Sequence, residues 1–194
     1  MNPWSTPVCE FAEFARTWLR SPRKVGAIAP SGPSLARAIT AEISKSTGHV
    51  LELGPGTGVF TRMLVAKGVP EEKLTLLEND TRFAGMLRTR FPAARVISGC
   101  ATALEDMPLS ETGFGAVVSG LPLLAMTPET VERILGGAFS HLGPGKAVYQ
   151  FTYRPVCPVP RKVMRTLDLE ASRTGFSLRN LPPAWVYALR RRTA

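Results

Sequence analysis

The stretch "VLELGPGTGVF", residues 50 to 60, constrains the fold more than any other part of the chain. Val50, Leu51 and Leu53 make an apolar strand interrupted by a single acid, Glu52. The strand runs directly into Gly54-Pro55-Gly56-Thr57-Gly58, and a helix is expected from Gly58 to Lys67. Strand, glycine turn and helix in that order are the opening unit of an α/β domain, with the turn shaped to receive a ligand.

The rest of the chain continues the alternation. Leu74–Glu78, Arg95–Ser98 and Ala116–Ser119 read as further strands, and Arg82–Arg90 as a helix between the first two of these. Pro128 opens a helix that continues to about Phe139, since proline is tolerated in a first turn. The turn "HLGPG" precedes a fifth strand, Lys146–Tyr153. Alternating strands and helices predict a mostly parallel sheet covered on both faces. Near the end, Phe176–Asn180 and Ala184–Arg190 are joined by Leu181-Pro182-Pro183, too short for a crossover. They predict an antiparallel pair. The expected architecture is α/β and Rossmann-like: a seven-stranded, mostly parallel sheet ending in an antiparallel hairpin. At 194 residues this makes one domain, expected over 31–194, with a small appendage over 1–30.

The glycine turn discriminates between ligands. A nucleotide P-loop needs Lys and then Ser or Thr after its last glycine, but Gly58 is followed by Val59-Phe60. Dinucleotide folds use Gly-x-Gly-x-x-Gly, whereas the spacing here is Gly-x-Gly-x-Gly, stiffened by Pro55. Glu52 near the turn disfavours a diphosphate and favours an ammonium. S-adenosylmethionine carries an ammonium and a sulfonium and no phosphate, and glycines allow its amino-acid end to approach the backbone. Glu78 ends the second strand, with Asn79 beside it, where a carboxylate can accept bonds from both ribose hydroxyls. The third strand ends in Cys100-Ala101-Thr102, which places backbone groups or the Thr102 hydroxyl at the adenine. S-adenosylmethionine is the expected cofactor, and the three cysteines, Cys9, Cys100 and Cys157, match no metal or disulfide spacing.

After the fourth strand comes Ser119-Gly120-Leu121-Pro122-Leu123. Enzymes that methylate nucleobase amines carry an asparagine and a stacking aromatic here. Both are missing, and stacking alone is worth ~1–3 kcal/mol per base. A nucleobase is therefore a poor substrate for this loop, and the loop's carbonyls, from Ser119 to Leu121, are expected to orient an amine.

With "VGAIAPSGPSLARAI", "VLELGPGTGVFT", "VVSGLPLL", "YQFTYRPVCPV" and "PPAWVYALRR" in order, the chain resembles the bacterial phospholipid N-methyltransferases. That family is related to the ribosomal RNA adenine dimethylases. The resemblance implies a class I methyltransferase fold and stepwise methylation of phosphatidylethanolamine, through mono- and dimethyl forms, to phosphatidylcholine. It also implies peripheral attachment to the cytoplasmic membrane face and a segment around Ser31 that closes over the cofactor.

Charge and pattern fit that implication. The net charge of +9 favours an anionic partner. No apolar run reaches the length of a membrane span, and Glu10 and Glu13 fall where the apolar core of a signal peptide would lie. On helical spacing Phe11, Phe14 and Trp18 share an apolar face, edged by Arg16, Arg20, Arg23 and Lys24. That is the pattern of an interfacial helix on anionic lipid, or of a helix docked on the core. After the fifth strand, Tyr149 and Tyr153 offer hydroxyls to an amine, and Arg154 offers a guanidinium to lipid phosphate. No histidine or carboxylate is marked as a base, which leaves water or a tyrosine to take the proton. Two other functions fit parts of this pattern: an RNA or DNA amine methyltransferase, favoured by charge, and a cofactor-binding membrane module without turnover.

Overall fold

The computed structural model describes residues 32–109, 113–178, 180 and 182–192. The expected interfacial helix, with Phe11, Phe14, Arg16, Trp18, Arg20, Arg23 and Lys24, lies outside them, as does Ser31.

The chain builds α1 (Pro33–Ile39), β1 (Val50–Leu53), α2 (Val59–Ala66), β2 (Leu74–Glu78), α3 (Thr81–Arg90) and β3 (Arg95–Ser98). β4 (Ala116–Ser119), α4 (Pro128–His141), β5 (Val148–Thr152), α5 (Arg161–Thr166), β6 (Leu169–Ser177) and β7 (Ala184–Arg191) follow. Seven strands form one sheet in the order β3-β2-β1-β4-β5-β7-β6. The first five are parallel, and β7 runs antiparallel to both β5 and β6. This is the mixed sheet of the class I methyltransferase fold.

Local chemistry explains the element ends. Every residue of β1, β2, β4 and β5 is buried, as expected of parallel strands covered on both faces. The Asp80 carboxylate accepts from the amides of Arg82 and Phe83, and the Thr127 hydroxyl from that of Thr130, capping α3 and α4. One apolar layer packs α1, α2 and α3 against the sheet through Leu35, Ile39, Phe60, Leu64 and Leu87. The other packs α4 and α5 through Val131, Ile134, Leu135 and Val163.

Three elements differ from the sequence reading. β6 begins at Leu169, well ahead of the expected Phe176. As an edge strand it is exposed over Glu170–Arg173, with no alternation to mark it. It is preceded by Asp168 in the left-handed region at φ 51, a place more often marked by glycine. A helix opened by Pro33 is expected to run towards Ser44, but α1 ends at Ile39. Its last turn is held by Lys67, whose Nζ donates to the carbonyls of Thr40 and Ala41. A 3-10 helix over Ala101–Asp106 occupies the stretch after β3.

Candidate active site

The C-terminal ends of β1, β2 and β4 lie side by side, Leu53 opposite both Leu77 and Ser119. This is the edge where open α/β sheets bind ligands. The glycine turn leaves β1 there, with Gly54, Gly56 and Gly58 all at positive φ, so each conformation is strained for any other residue. They differ in their surroundings. A Cβ on Gly54 would come within 2.7 Å of Leu121, and one on Gly58 within 2.8 Å of Phe91, but one on Gly56 would meet nothing within 4 Å. Gly54 and Gly58 are packed against protein, while Gly56 faces open space. Pro55 is buried and its carbonyl accepts from Gly58, whereas Thr57 is exposed and its carbonyl accepts from Arg90.

Glu78 is built into the turn. One carboxylate oxygen accepts from the amide of Gly56 at 2.9 Å and the other from that of Asp80 at 2.9 Å. A carboxylate has about four lone-pair sites, so each oxygen keeps one for a hydroxyl ligand. Burial raises its pKa, opposed by those backbone donors. Asn79 beside it is exposed.

Glu52, expected to favour an ammonium at the turn, lies inside the protein. It is wholly buried beneath the turn, where the Thr61 hydroxyl donates to one oxygen at 2.7 Å. Its other oxygen is buried with no partner among the described residues. Burial pushes its pKa up to about 8, which favours the protonated form in the free protein. A cation arriving above it favours the ionised form.

After β3, where the adenine is expected, the Gly99 amide donates to the carbonyl of Glu78 at 3.0 Å, fixing the end of β3 beside that residue. Cys100 is buried, with its sulfur 3.1 Å from the Thr102 hydroxyl oxygen, and Ala101 and Thr102 are half-buried at the start of the 3-10 helix.

The post-β4 loop presses on the glycine turn from the other side. The Gly120 amide donates to Leu53 at 2.8 Å, and a Cβ on Gly120 would fall 2.6 Å from the carbonyl oxygen of Gly54. Only glycine fits. The Ser119 side chain is buried and accepts from the Leu121 amide at 3.4 Å. The Gln150 side-chain amide donates to the Leu121 carbonyl at 2.9 Å and to that of Phe151 at 2.8 Å, leaving its own oxygen buried without a partner among the described residues. The sequence reading quoted Gln150 and gave it no role. A polar residue inside the apolar run "VYQFT" was the signal available.

The two tyrosines separate. Tyr153 follows β5 at the site edge, its ring edge-on to Phe151 at 5.3 Å, and Phe151 stands edge-on to Phe60 of α2 at 6.0 Å. Tyr149 corrects the expectation that its hydroxyl meets an amine. It donates to Glu42 at 2.9 Å, and Glu42 also pairs with Arg190 at 3.0 Å. Being earlier in β5, it ties the segment after α1 to the sheet, and burial and Glu42 push its pKa up to about 12. Arg154 is exposed beyond Tyr153, its amide donating to the Thr152 hydroxyl.

The residues present fit S-adenosylmethionine: an unobstructed Gly56, a Glu78 carboxylate with a lone pair left on each oxygen for a hydroxyl, and an orphan buried oxygen on Glu52. Fold and site together define a class I methyltransferase that uses S-adenosylmethionine. Residues 50–145 match the methyltransferase domain family. Among individual proteins, the chain is 29% identical to the ornithine lipid N-methyltransferase of Singulisphaera acidiphila, over 93% of this chain and 96% of that one. It is 30% identical to ribosomal RNA small subunit methyltransferase A of Synechococcus sp. over 74% of its length, spanning 50% of that protein. The glycopeptide N-methyltransferase MtfA complexed with S-adenosyl-L-homocysteine has the same fold, with TM-score 0.64 and 18% identity over 96% of this chain and 98% of that one.

Proposed function

We propose that the chain methylates the primary amine of a membrane lipid: phosphatidylethanolamine, taken stepwise through its mono- and dimethyl forms to phosphatidylcholine. The observation that carries this reading is the loop from Ser119 to Leu123. Gly120 lies against the carbonyl of Gly54, Gln150 fixes the carbonyl of Leu121, and the place of a base-stacking ring is taken by the buried Leu123. Such a slot suits a small amine better than a flat base. The likeness to an ornithine lipid N-methyltransferase over nearly the whole chain supports a lipid amine and makes ornithine lipid the second substrate to test. The likeness to a ribosomal RNA methyltransferase is the observation in favour of RNA, and this loop speaks against it.

Bound S-adenosylmethionine supplies a methyl group already activated by its positive sulfur. The protein's part is alignment of a neutral amine for in-line attack, a contribution of positioning. Carbonyls of Ser119 to Leu121 accept the amine's N–H groups, and Tyr153 or water takes the proton. Ser31, Glu52, Gly54 to Gly58, Glu78, Asn79, Cys100 to Thr102 and Ser119 hold the cofactor, and Arg154 meets lipid phosphate. The enzyme works from the cytoplasmic face as a peripheral protein, with residues 1–30 as an amphipathic anchor. Among the described residues no helix is long and apolar enough to cross a membrane.

The test uses labelled S-adenosylmethionine with vesicles of phosphatidylethanolamine, vesicles of ornithine lipid, and RNA in parallel. Label in mono-, di- and trimethylated phosphatidylethanolamine is the expected result. Label confined to ornithine lipid moves the substrate within the lipid class. Label in RNA alone overturns the reading.

A further inference from the structure

We propose that the β4–β6 half of the sheet's C-terminal edge is a docking face for an anionic lipid bilayer, distinct from the N-terminal segment, with apolar side chains from three neighbouring loops entering the lipid surface. The inference rests on the lipid reading above for the identity of the substrate.

Among the described residues the exposed large apolar side chains are Leu124, Val156, Phe176 and Leu178, at 48%, 55%, 45% and 73% exposure. Single exposed apolar residues scattered over a surface carry no message; their convergence does. Leu124 lies in the loop after β4, and Val156 in the loop after β5. Phe176 and Leu178 lie at the end of β6, which runs in the same direction as β5 because both are antiparallel to β7. All four therefore sit at the edge that carries the glycine turn, on strands that are successive in the sheet order β4-β5-β7-β6.

The loops are tied to one another. Gln150 of β5 holds the Leu121 carbonyl, anchoring the loop that carries Leu124. The Tyr187 hydroxyl of β7 donates to the Pro155 carbonyl at 3.1 Å, anchoring the loop that carries Val156. The Phe176 ring packs on Trp185 across the hairpin at 5.0 Å, which presents a broad aromatic surface beside Leu178. Exposed Arg154 and Arg161 flank Val156 in the same connection. Apolar side chains edged by cations at the mouth of a lipid-modifying site match an anionic bilayer. Docking there lets a headgroup amine reach the Ser119–Leu121 loop while its acyl chains stay in the membrane.

The test compares the full chain with its V156D/L178D variant. Both positions are exposed and lie outside the cofactor and amine sites, so the thermal midpoint is expected to stay within a few degrees. Co-sedimentation with vesicles of phosphatidylethanolamine and phosphatidylglycerol should fall about tenfold or more, because two buried apolar contacts are lost and two anions are added. Methylation of a short-chain lipid amine, dispersed as monomers, should be unchanged while methylation in vesicles falls with sedimentation. Unchanged vesicle partition would overturn the docking face. So would an unchanged partition with a halved mass by light scattering, which makes the face a seat for a second copy, or with faster proteolysis of residues 1–31, which makes it a seat for that segment. If the wild-type chain methylates no lipid amine, the substrate reading fails, and vesicle partition still decides the docking face on its own.

Discussion

The half of this site proposed for the cofactor and the half proposed for the substrate are built in different ways. The cofactor half, β1 to β3, is held by bonds between neighbouring parallel strands and the helix that follows β1: Glu78 to Gly56, Glu52 to Thr61, the Gly99 amide to the Glu78 carbonyl. The substrate half, β4 to β7, is assembled from distant pieces, with Gln150 reaching Leu121, Tyr187 reaching Pro155, and the Gly32 amide donating to Asn180 at 3.0 Å. The first joins only strands that are neighbours in one parallel array. The second depends on strands meeting in the right order, so it has more room to change substrate while the donor site stays the same.

The largest expected effect comes where the two halves touch. In G120V the new side chain would strike the Gly54 carbonyl, shifting turn and loop together. Overpacking of this kind costs about 1–3 kcal/mol, and affinity for S-adenosylhomocysteine by titration calorimetry should fall about 10- to 100-fold. Tight binding in that variant would mean the halves move independently.

Q150L should separate them. It leaves the Leu121 carbonyl without its donor but touches nothing in the glycine turn. Loss of that bond, ~1–3 kcal/mol in a buried setting, predicts a roughly tenfold or larger drop in kcat with unchanged cofactor affinity. A matching loss of cofactor binding would join Gln150 to the other half.

Glu52 gives the cofactor half a pH signature. Its folded-state pKa, raised from 4.5 to about 8, means the folded protein binds more protons than the unfolded chain between those values. Stability from this group is therefore fully present below about pH 4.5 and lost as pH rises towards 8, by up to ~1.4 kcal/mol per pH unit. Thermal midpoints of the free protein should fall over that window, and E52Q should flatten the fall. An identical slope in E52Q would place the titration elsewhere.

The smallest effect is expected from Y149F, which removes the bond to Glu42 and leaves the ring in place. About 1 kcal/mol of stability should go, read as a few degrees in thermal midpoint, with kcat unchanged. The same change at Tyr153 should lower turnover, and equal kinetics in the two variants would remove Tyr153 from the chemistry.

Much of the fold was legible because buried parallel strands announce themselves as apolar runs, and Gly54 to Gly58 mark a turn that few other residues can make. The β7 strand was expected over Ala184–Arg190 and observed over Ala184–Arg191. The start of β6 was hidden because an edge strand needs no apolar alternation, and because Asp168 makes the left-handed turn that the eye seeks in glycine. Tyr149 and Tyr153 looked equivalent in sequence, being an even number of residues apart and on one face of the strand. Their heights along β5 send one hydroxyl to Glu42 and leave the other ring at the site edge.

The sequence by itself determined the individual strands, the glycine turn and the donor, because each is written in contiguous residues whose backbone conformations and burial follow from local chemistry. Only the tertiary structure decided that Glu52 is buried against Thr61, that Gln150 serves the Leu121 carbonyl, and that Leu124, Val156, Phe176 and Leu178 lie along one edge of the sheet. Those facts depend on which strands become neighbours. Strand order is a property of the whole sheet, settled by packing between residues far apart in the chain, and no short stretch encodes it.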